Sequence, residues 1–272
     1  MQGSTIRNER HKAVPLPSIL IPVRYFLRLA YDGLPFHGWQ VQPNAPTVQQ
    51  KLEESLSVLL KYPVETTGCG RTDTGVHAAE FYAHFDTENQ VPDPERFLRS
   101  LNALLPPEIA VYGIIPVAPE AHARFDATSR TYHYQVITRK DPFLREQAFF
   151  FPHPLMVDRM NAAAALLLKQ EDFACFTKTG GNQNGTHCRV THAQWLRLED
   201  RLVFSITANR FLRNMVRAIV GTLLETGEGK CSTEQFEAIL ASGNRSDAGM
   251  SVPAHGLSLV RVEYPFITRS HG

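Results

Sequence analysis

The strongest constraint on this chain is the order in which two hydrophobic periods follow one another. Runs with an apolar side chain at every second residue, as a strand requires, are interleaved with runs at every third or fourth, as a helix requires. Val23, Tyr25, Leu27, Leu29 and Tyr31 alternate with Arg24, Phe26, Arg28 and Ala30, which predicts a first strand with one apolar face. Thr47 and Gln50 have the spacing of a capping box, and Val48, Leu52, Leu56, Leu59 and Leu60 continue at helical intervals until Pro63. Phe81, Ala83 and Phe85 alternate again; Asp93 and Pro94 announce a helix carrying Phe97, Leu98, Leu101, Leu104 and Leu105; and IAVYGIIPV reads as a strand. The second half repeats this rhythm. Tyr132, Tyr134 and Val136 share a strand face, a helix follows from an Asp158 cap, and WLRLEDRLVFSITAN predicts a hairpin turning at Glu199 and Asp200. A helix from Phe211 to about Thr226, another capped by Ser232 with Gln235, and a closing strand LSLVRVEY complete the chain. Hairpins mixed with crossovers predict an α+β fold, with helices on one face of a largely antiparallel sheet, and fit a doubly wound dinucleotide fold poorly.

Pro116, Pro119 and Glu120 interrupt the patterns, so the expected division is a tail at 1–21, an N-terminal unit at 22–120 and a C-terminal unit at 121–272. Length supports two modest units or one large α/β unit, and 43% hydrophobic with 20% charged residues excludes a coiled coil or a largely disordered chain. The 28 basic and 27 acidic side chains nearly cancel, so any nucleic-acid site must be a local basic cluster. Cys69, Cys175, Cys188 and Cys231 form no C-x-x-C pair, which speaks against a zinc ribbon or a disulfide framework and points to a reducing cytoplasm. The apolar stretch Ala13 to Val23 is broken by Pro15, Pro17 and Pro22, so neither a signal peptide nor a membrane span is expected.

Three constellations bear on chemistry. In GCGRTDTGVHA, residues 68–78, glycines permit a tight turn from which Arg71 and Asp73 reach one concave site. A structural turn with a surface ion pair is the plainer account of such a motif taken alone. The absence of G-K-[ST] excludes a P-loop, and Gly75 speaks against a hydrolase pairing of Asp73 with His77, which reads better as a core histidine. Arg210, Arg213 and Arg217 fall on one stripe of the expected Phe211 helix, where like charges call for an anionic partner or stand as a solvated edge. Tyr132 and Tyr134, near Arg124, Arg130 and Arg139, suit base stacking and phosphate contact, or simply a core. His187, Cys188 and His192 match no usual metal spacing, so no metal is expected.

Taken together, GRTDTGVHA, YDG with GWQ-x-Q, LNALLP, ARF followed by R-x-Y-x-Y, NRFLRNMVRAIVG and HGLSLVRVEY resemble the tRNA pseudouridine synthase A family, from about Arg24 to Tyr264. Thr74 stands where the family usually has alanine. The resemblance implies two related ferredoxin-like α+β domains with mainly antiparallel sheets meeting at a central cleft. It further implies a homodimer that isomerises uridines of the tRNA anticodon stem-loop without metal or organic cofactor. It places the essential aspartate on Asp73, the active-site tyrosine on Tyr132, the arginine paired with the aspartate on Arg217, and a residue holding the extruded base on Arg71. Arg210 and Arg213 are expected on phosphates. A non-catalytic RNA-binding module is the rival reading, and it leaves Asp73 unexplained.

Overall fold

The computed structural model describes residues 22–178, 185–198 and 200–268. The expected tail at 1–21 and the Glu199 half of the hairpin turn lie outside them. Strands β1 (Val23–Tyr31), β2 (Thr67–Gly68), β3 (His77–Thr87) and β4 (Ile109–Val117) accompany helices α1 (Val48–Leu60) and α2 (Pro94–Leu104). In the second half come β5 (Ser129–Ile137), β6 (Phe149–Phe150), α3 (Val157–Leu166), β7 (Val190–Leu198), β8 (Arg201–Ala208), α4 (Met215–Gly227), α5 (Thr233–Ser242) and β9 (Leu257–Glu263). Among the described residues these strands form a single sheet in the order β4-β1-β3-β9-β5-β8-β7, with β2 added to β3 and β6 to β5. Pairing is antiparallel except for β3 with β9 and β5 with β6, which is the α+β arrangement the two periods predict.

The β3–β9 seam rests on two register pairs, His77 with Ser258 and Ala78 with Leu259. GRTDTGV ends there, so the topology delivers Asp73 to the line along which the halves join. Two apolar cores flank the seam, and each borrows from the other half. Leu259, Val262 and Tyr264 of the closing segment pack with Phe26, Trp39 and Phe81, whereas Val76 packs with Tyr134, Phe204 and Ile219. Tyr132 touches both cores. With each fully buried Phe or Leu contributing roughly 1.5–3 kcal/mol, this exchange ties the two halves together.

Local signals account for most boundaries. Asp93 accepts the Arg96 amide at the start of α2, and Ser232 with Gln235 forms a complete capping box on α5. At α1 the box is half made: Thr47 accepts the Gln50 amide, but the Gln50 side chain donates to Glu54 instead. Three expectations need correction. Phe26, placed on the polar face of β1, is fully buried, because His84, Tyr264 and Phe266 cover that face as well. Asp158 does not cap α3; Met156 holds that position without a side-chain bond, and Asp158 lies in the first turn, where its charge still suits the helix dipole. Finally, α4 starts at Met215 rather than Phe211, since Asn214 turns the chain with φ 66°. Asn tolerates this left-handed backbone better than most residues.

Candidate active site

Asp73 sits on a turn closed by the Val76 amide donating to the Asp73 carbonyl at 3.1 Å. The segment carrying YDG and GWQ forms the wall behind it. The Trp39 amide donates to Thr72 O, the Gly75 amide to Phe36 O, and Tyr31 Oη bonds the Thr72 hydroxyl at 2.9 Å. Gly38, at φ +86°, runs so close to the turn that a Cβ would stand 2.3 Å from Thr72 O, so only glycine fits. Trp39 stacks on Phe81 at 4.2 Å and fixes the wall to the core. His77 is a structural residue, as expected: Nε2 lies 2.9 Å from Glu146 O and 3.1 Å from His255 O, and Nδ1 accepts the Gly33 amide. Burial pushes the neighbouring Cys69 thiol up to about 12, so it is no thiolate nucleophile at neutral pH.

Across the seam, α4 presents Arg217. Its Nε donates to Val252 O at 2.8 Å, which aims the guanidinium so that Nη1 lies 3.5 Å from Asp73 Oδ2. The carboxylate retains 33% of its exposure and the guanidinium 22%, so the pair is half-buried yet reachable by substrate. The two lie in a cleft of about 530 Å³, a volume suited to one small organic group. Lys178, Arg213, Arg245, Asn214, Ser251 and Thr74 complete its lining. Asn214 and Arg245 both donate to the Ser251 hydroxyl, which positions the Arg245 head.

Tyr132 does not line this cleft; it packs against both cores, edge-on to Phe211 at 5.1 Å. Burial raises its phenol above the ordinary tyrosine range, with the charge of Asp73 contributing in the same direction, so it is a neutral phenol. Arg213 lines the cleft; Arg71 is exposed outside it and donates to Gln40 Oε1 at 3.2 Å. The expected helical stripe does not exist. Only Arg217 lies on α4, while Arg210 and Arg213 belong to the loop that Asn214 terminates. Tyr134 is core, fully buried with its hydroxyl on Pro253 O, and Arg139 pairs at the surface with Asp200. Arg130 donates to the carbonyls of Ala127, Asn209, Cys69 and Arg124 and is thus an internal brace. Sequence reasoning missed Lys178, Arg245 and Ser251, which follow no periodic pattern. The Asn before Met215, a residue that readily turns left-handed, was the signal that the stripe is broken. Among the described residues no three His, Cys, Asp or Glu side chains gather as a metal site would need.

A loop-borne carboxylate thus lies beside an arginine at the seam of one mostly antiparallel sheet. The model of the tRNA pseudouridine synthase family matches residues 163–265. The chain is 51% identical to tRNA pseudouridine synthase A of Parabacteroides distasonis over 242 residues, covering 89% of this chain and 96% of that one. It is 50% identical to the enzyme of the same name from Porphyromonas gingivalis, covering 89% and 97%, and 40% identical to that of Gloeobacter violaceus, covering 90% and 81%. The chain belongs to the tRNA pseudouridine synthase A family, whose members are isomerases.

Proposed function

We propose that this protein isomerises uridines of the tRNA anticodon stem-loop to pseudouridine, with Asp73 as the reacting carboxylate. The observation that carries this reading is the Asp73–Arg217 pair in a cleft otherwise lined by Lys178, Arg213 and Arg245. Such a lining attracts a polyanion, while the one carboxylate among the cations has no role in binding phosphate. The two proposed units divide the work: residues 22–120 supply Asp73, and residues 121–272 supply the cationic wall.

The reaction breaks the N1–C1′ bond, turns the uracil and joins C5 to C1′; C5 loses a proton and N1 gains one, so no electron leaves the substrate. Asp73 serves by attack on C1′, by attack on C6, or by removing a sugar proton. Arg217, fixed by Val252 O, orients the carboxylate and compensates its charge before the base arrives. Tyr132, as a neutral phenol, offers a ring for stacking, and its oxygen takes the C5 proton only while its own passes to water, which also supplies the proton that N1 gains. The uridine leaves its stack to enter, which costs a few kcal/mol, least in a loop, and Arg71 at the rim holds the extruded base. Arg210 and Arg213 contact neighbouring phosphates. The enzyme works as a cytoplasmic homodimer without cofactor; no helix among the described residues is long and apolar enough to cross a membrane.

Incubation with an unmodified tRNA transcript, followed by mapping of pseudouridine, tests the proposal. Wild type introduces pseudouridine in the anticodon arm, and Asp73→Asn abolishes this while tRNA binding persists, because a negative charge is lost with little change in volume. Binding without turnover by wild type would leave a non-catalytic RNA-binding module.

A further inference from the structure

The segment 121–127 is tied down along its backbone yet presents a bare aromatic ring. The His122 amide donates to Asp126 Oδ2 at 2.7 Å, and the amides of Arg124 and Phe125 both reach His122 Nδ1. The Ala123 amide donates to His84 Nδ1, and Ala123 O accepts the Tyr264 hydroxyl. Arg130 holds the carbonyls of Arg124 and Ala127. Despite this, Phe125 is 71% exposed, supported by the His122 ring at 4.3 Å and with the Arg124 guanidinium 5.7 Å over its ring. A loop braced in this way cannot fold the ring inward, so its exposure is built into the structure.

The place of this ring is set by the same brace. Arg130 Nη2 is shared by Arg124 O and Cys69 O, and its Nη1 reaches Asn209 O, so the backbones leading to Arg71 and Arg210 converge on the same guanidinium. Burial and the nearby charges of Arg71, Arg130 and Arg210 press the Arg124 guanidinium below its ordinary value. An exposed aromatic ring among arginines, beside the catalytic loop, matches the chemistry of a single-stranded nucleic acid better than that of an apolar partner.

We propose that Phe125 is a stacking platform for an unpaired base next to the uridine that is isomerised, with Arg124 and Arg210 on the adjoining phosphates. This rests on the RNA-modifying reading above. An arriving base displaces the Arg124 guanidinium toward a phosphate and takes its place over the ring.

The test uses the full chain and an unmodified tRNA transcript. Phe125→Ala should raise Kd about 10-fold, within the range for loss of one base stack. Phe125→Trp should retain affinity and give a fluorescence quench on tRNA binding that Trp39 and Trp195, both buried, do not give. The salt slope of log K should be unchanged in Phe125→Ala and reduced by about 1 in Arg124→Ala. In a stem-loop with an abasic residue at the stacked position, wild type and Phe125→Ala should bind alike. The platform falls if Phe125→Ala keeps wild-type Kd, if no abasic position removes its defect, or if the substitution alters sedimentation, which would make the ring a contact between two copies. Wild type that neither binds nor modifies tRNA would instead overturn the functional reading itself.

Discussion

Asp73 and Arg217 lie 3.5 Å apart, a distance that supports charge compensation but leaves each free to reorganise when a base enters. Arg217→Lys keeps the charge but cannot both donate to Val252 O and reach Asp73, since an ammonium lacks the planar fork. It should therefore lower kcat by about 100-fold while tRNA affinity stays within a factor of about two, if Arg217 positions Asp73 for the proposed reaction. Single-turnover kinetics and a binding titration on the same variant check this, and an equal loss in both would make Arg217 a phosphate contact. Tyr132 carries a second test. Tyr132→Phe keeps the ring and its packing on Phe211, but loses the oxygen that would relay the C5 proton. If the oxygen has that task, glycosidic cleavage proceeds and the enzyme stalls afterwards with bound intermediate, whereas Tyr132→Leu also weakens capture of the base. Release of tritium from C5 separates the steps, and wild-type behaviour of Tyr132→Phe at each of them would leave only the ring with a function.

At the scale of elements, the recurring short motifs are mostly fasteners. Asn102 in LNALLP reaches from α2 to β4, where its amide group bonds both the N–H and the C=O of Val111 at 2.8 Å. Asn102→Ala leaves both without that partner and should cost about 1–3 kcal/mol in urea unfolding, with activity at low temperature retained. Gly221 on α4 lets the segment before Val252 cross, since a Cβ would stand 1.8 Å from Met250 O. Gly221→Ala should thus displace Val252 O from Arg217 and impair turnover more than its modest effect on helix propensity would suggest. Caps, proline breaks and period-two runs were legible because each is decided within a few residues: Asp93–Pro94, Ser232–Gln235 and the bounds of β4 stand as read. What stayed hidden depends on partners distant in sequence. Phe26 is buried because of Tyr264, Arg130 serves as a brace because of Cys69 and Asn209, and Arg245 enters the cleft through Ser251. Asp73 and Arg217 were matched by motif, but the reason they meet, a parallel seam of two register pairs, is a property of topology alone.

For the whole molecule, the joining of the halves makes stability sensitive to acid in a direction that can be worked out. His84 lies on β3 against Phe26 and His122, and its Nδ1 accepts the Ala123 amide. Burial, then the charges of Arg24 and His122, lowers its pKa to about 4, against opposing contributions from Asp86 and Asp126. His122 and His255 are shifted in the same direction, also chiefly by burial. A folded pKa below the unfolded value means that the unfolded chain binds the proton first. Stability is therefore complete above the unfolded histidine pKa of about 6.5 and is lost as pH falls from there toward 4, by about 2–3 kcal/mol for His84 alone. Thermal unfolding followed at intervals from pH 7.5 to pH 4.5 should show Tm flat at first and then falling by about 5–10 °C. His84→Asn retains an acceptor for the Ala123 amide but does not titrate in this range, so it should lower Tm at pH 7 slightly and flatten the acid limb. An acid limb as steep in His84→Asn as in wild type would move the proton-binding site elsewhere. Since His84 anchors the segment that presents Phe125 and stays neutral in the folded protein until the pH nears 4, wild-type tRNA affinity should hold along the limb and weaken only as the pH approaches 4, whereas the variant should hold its affinity there.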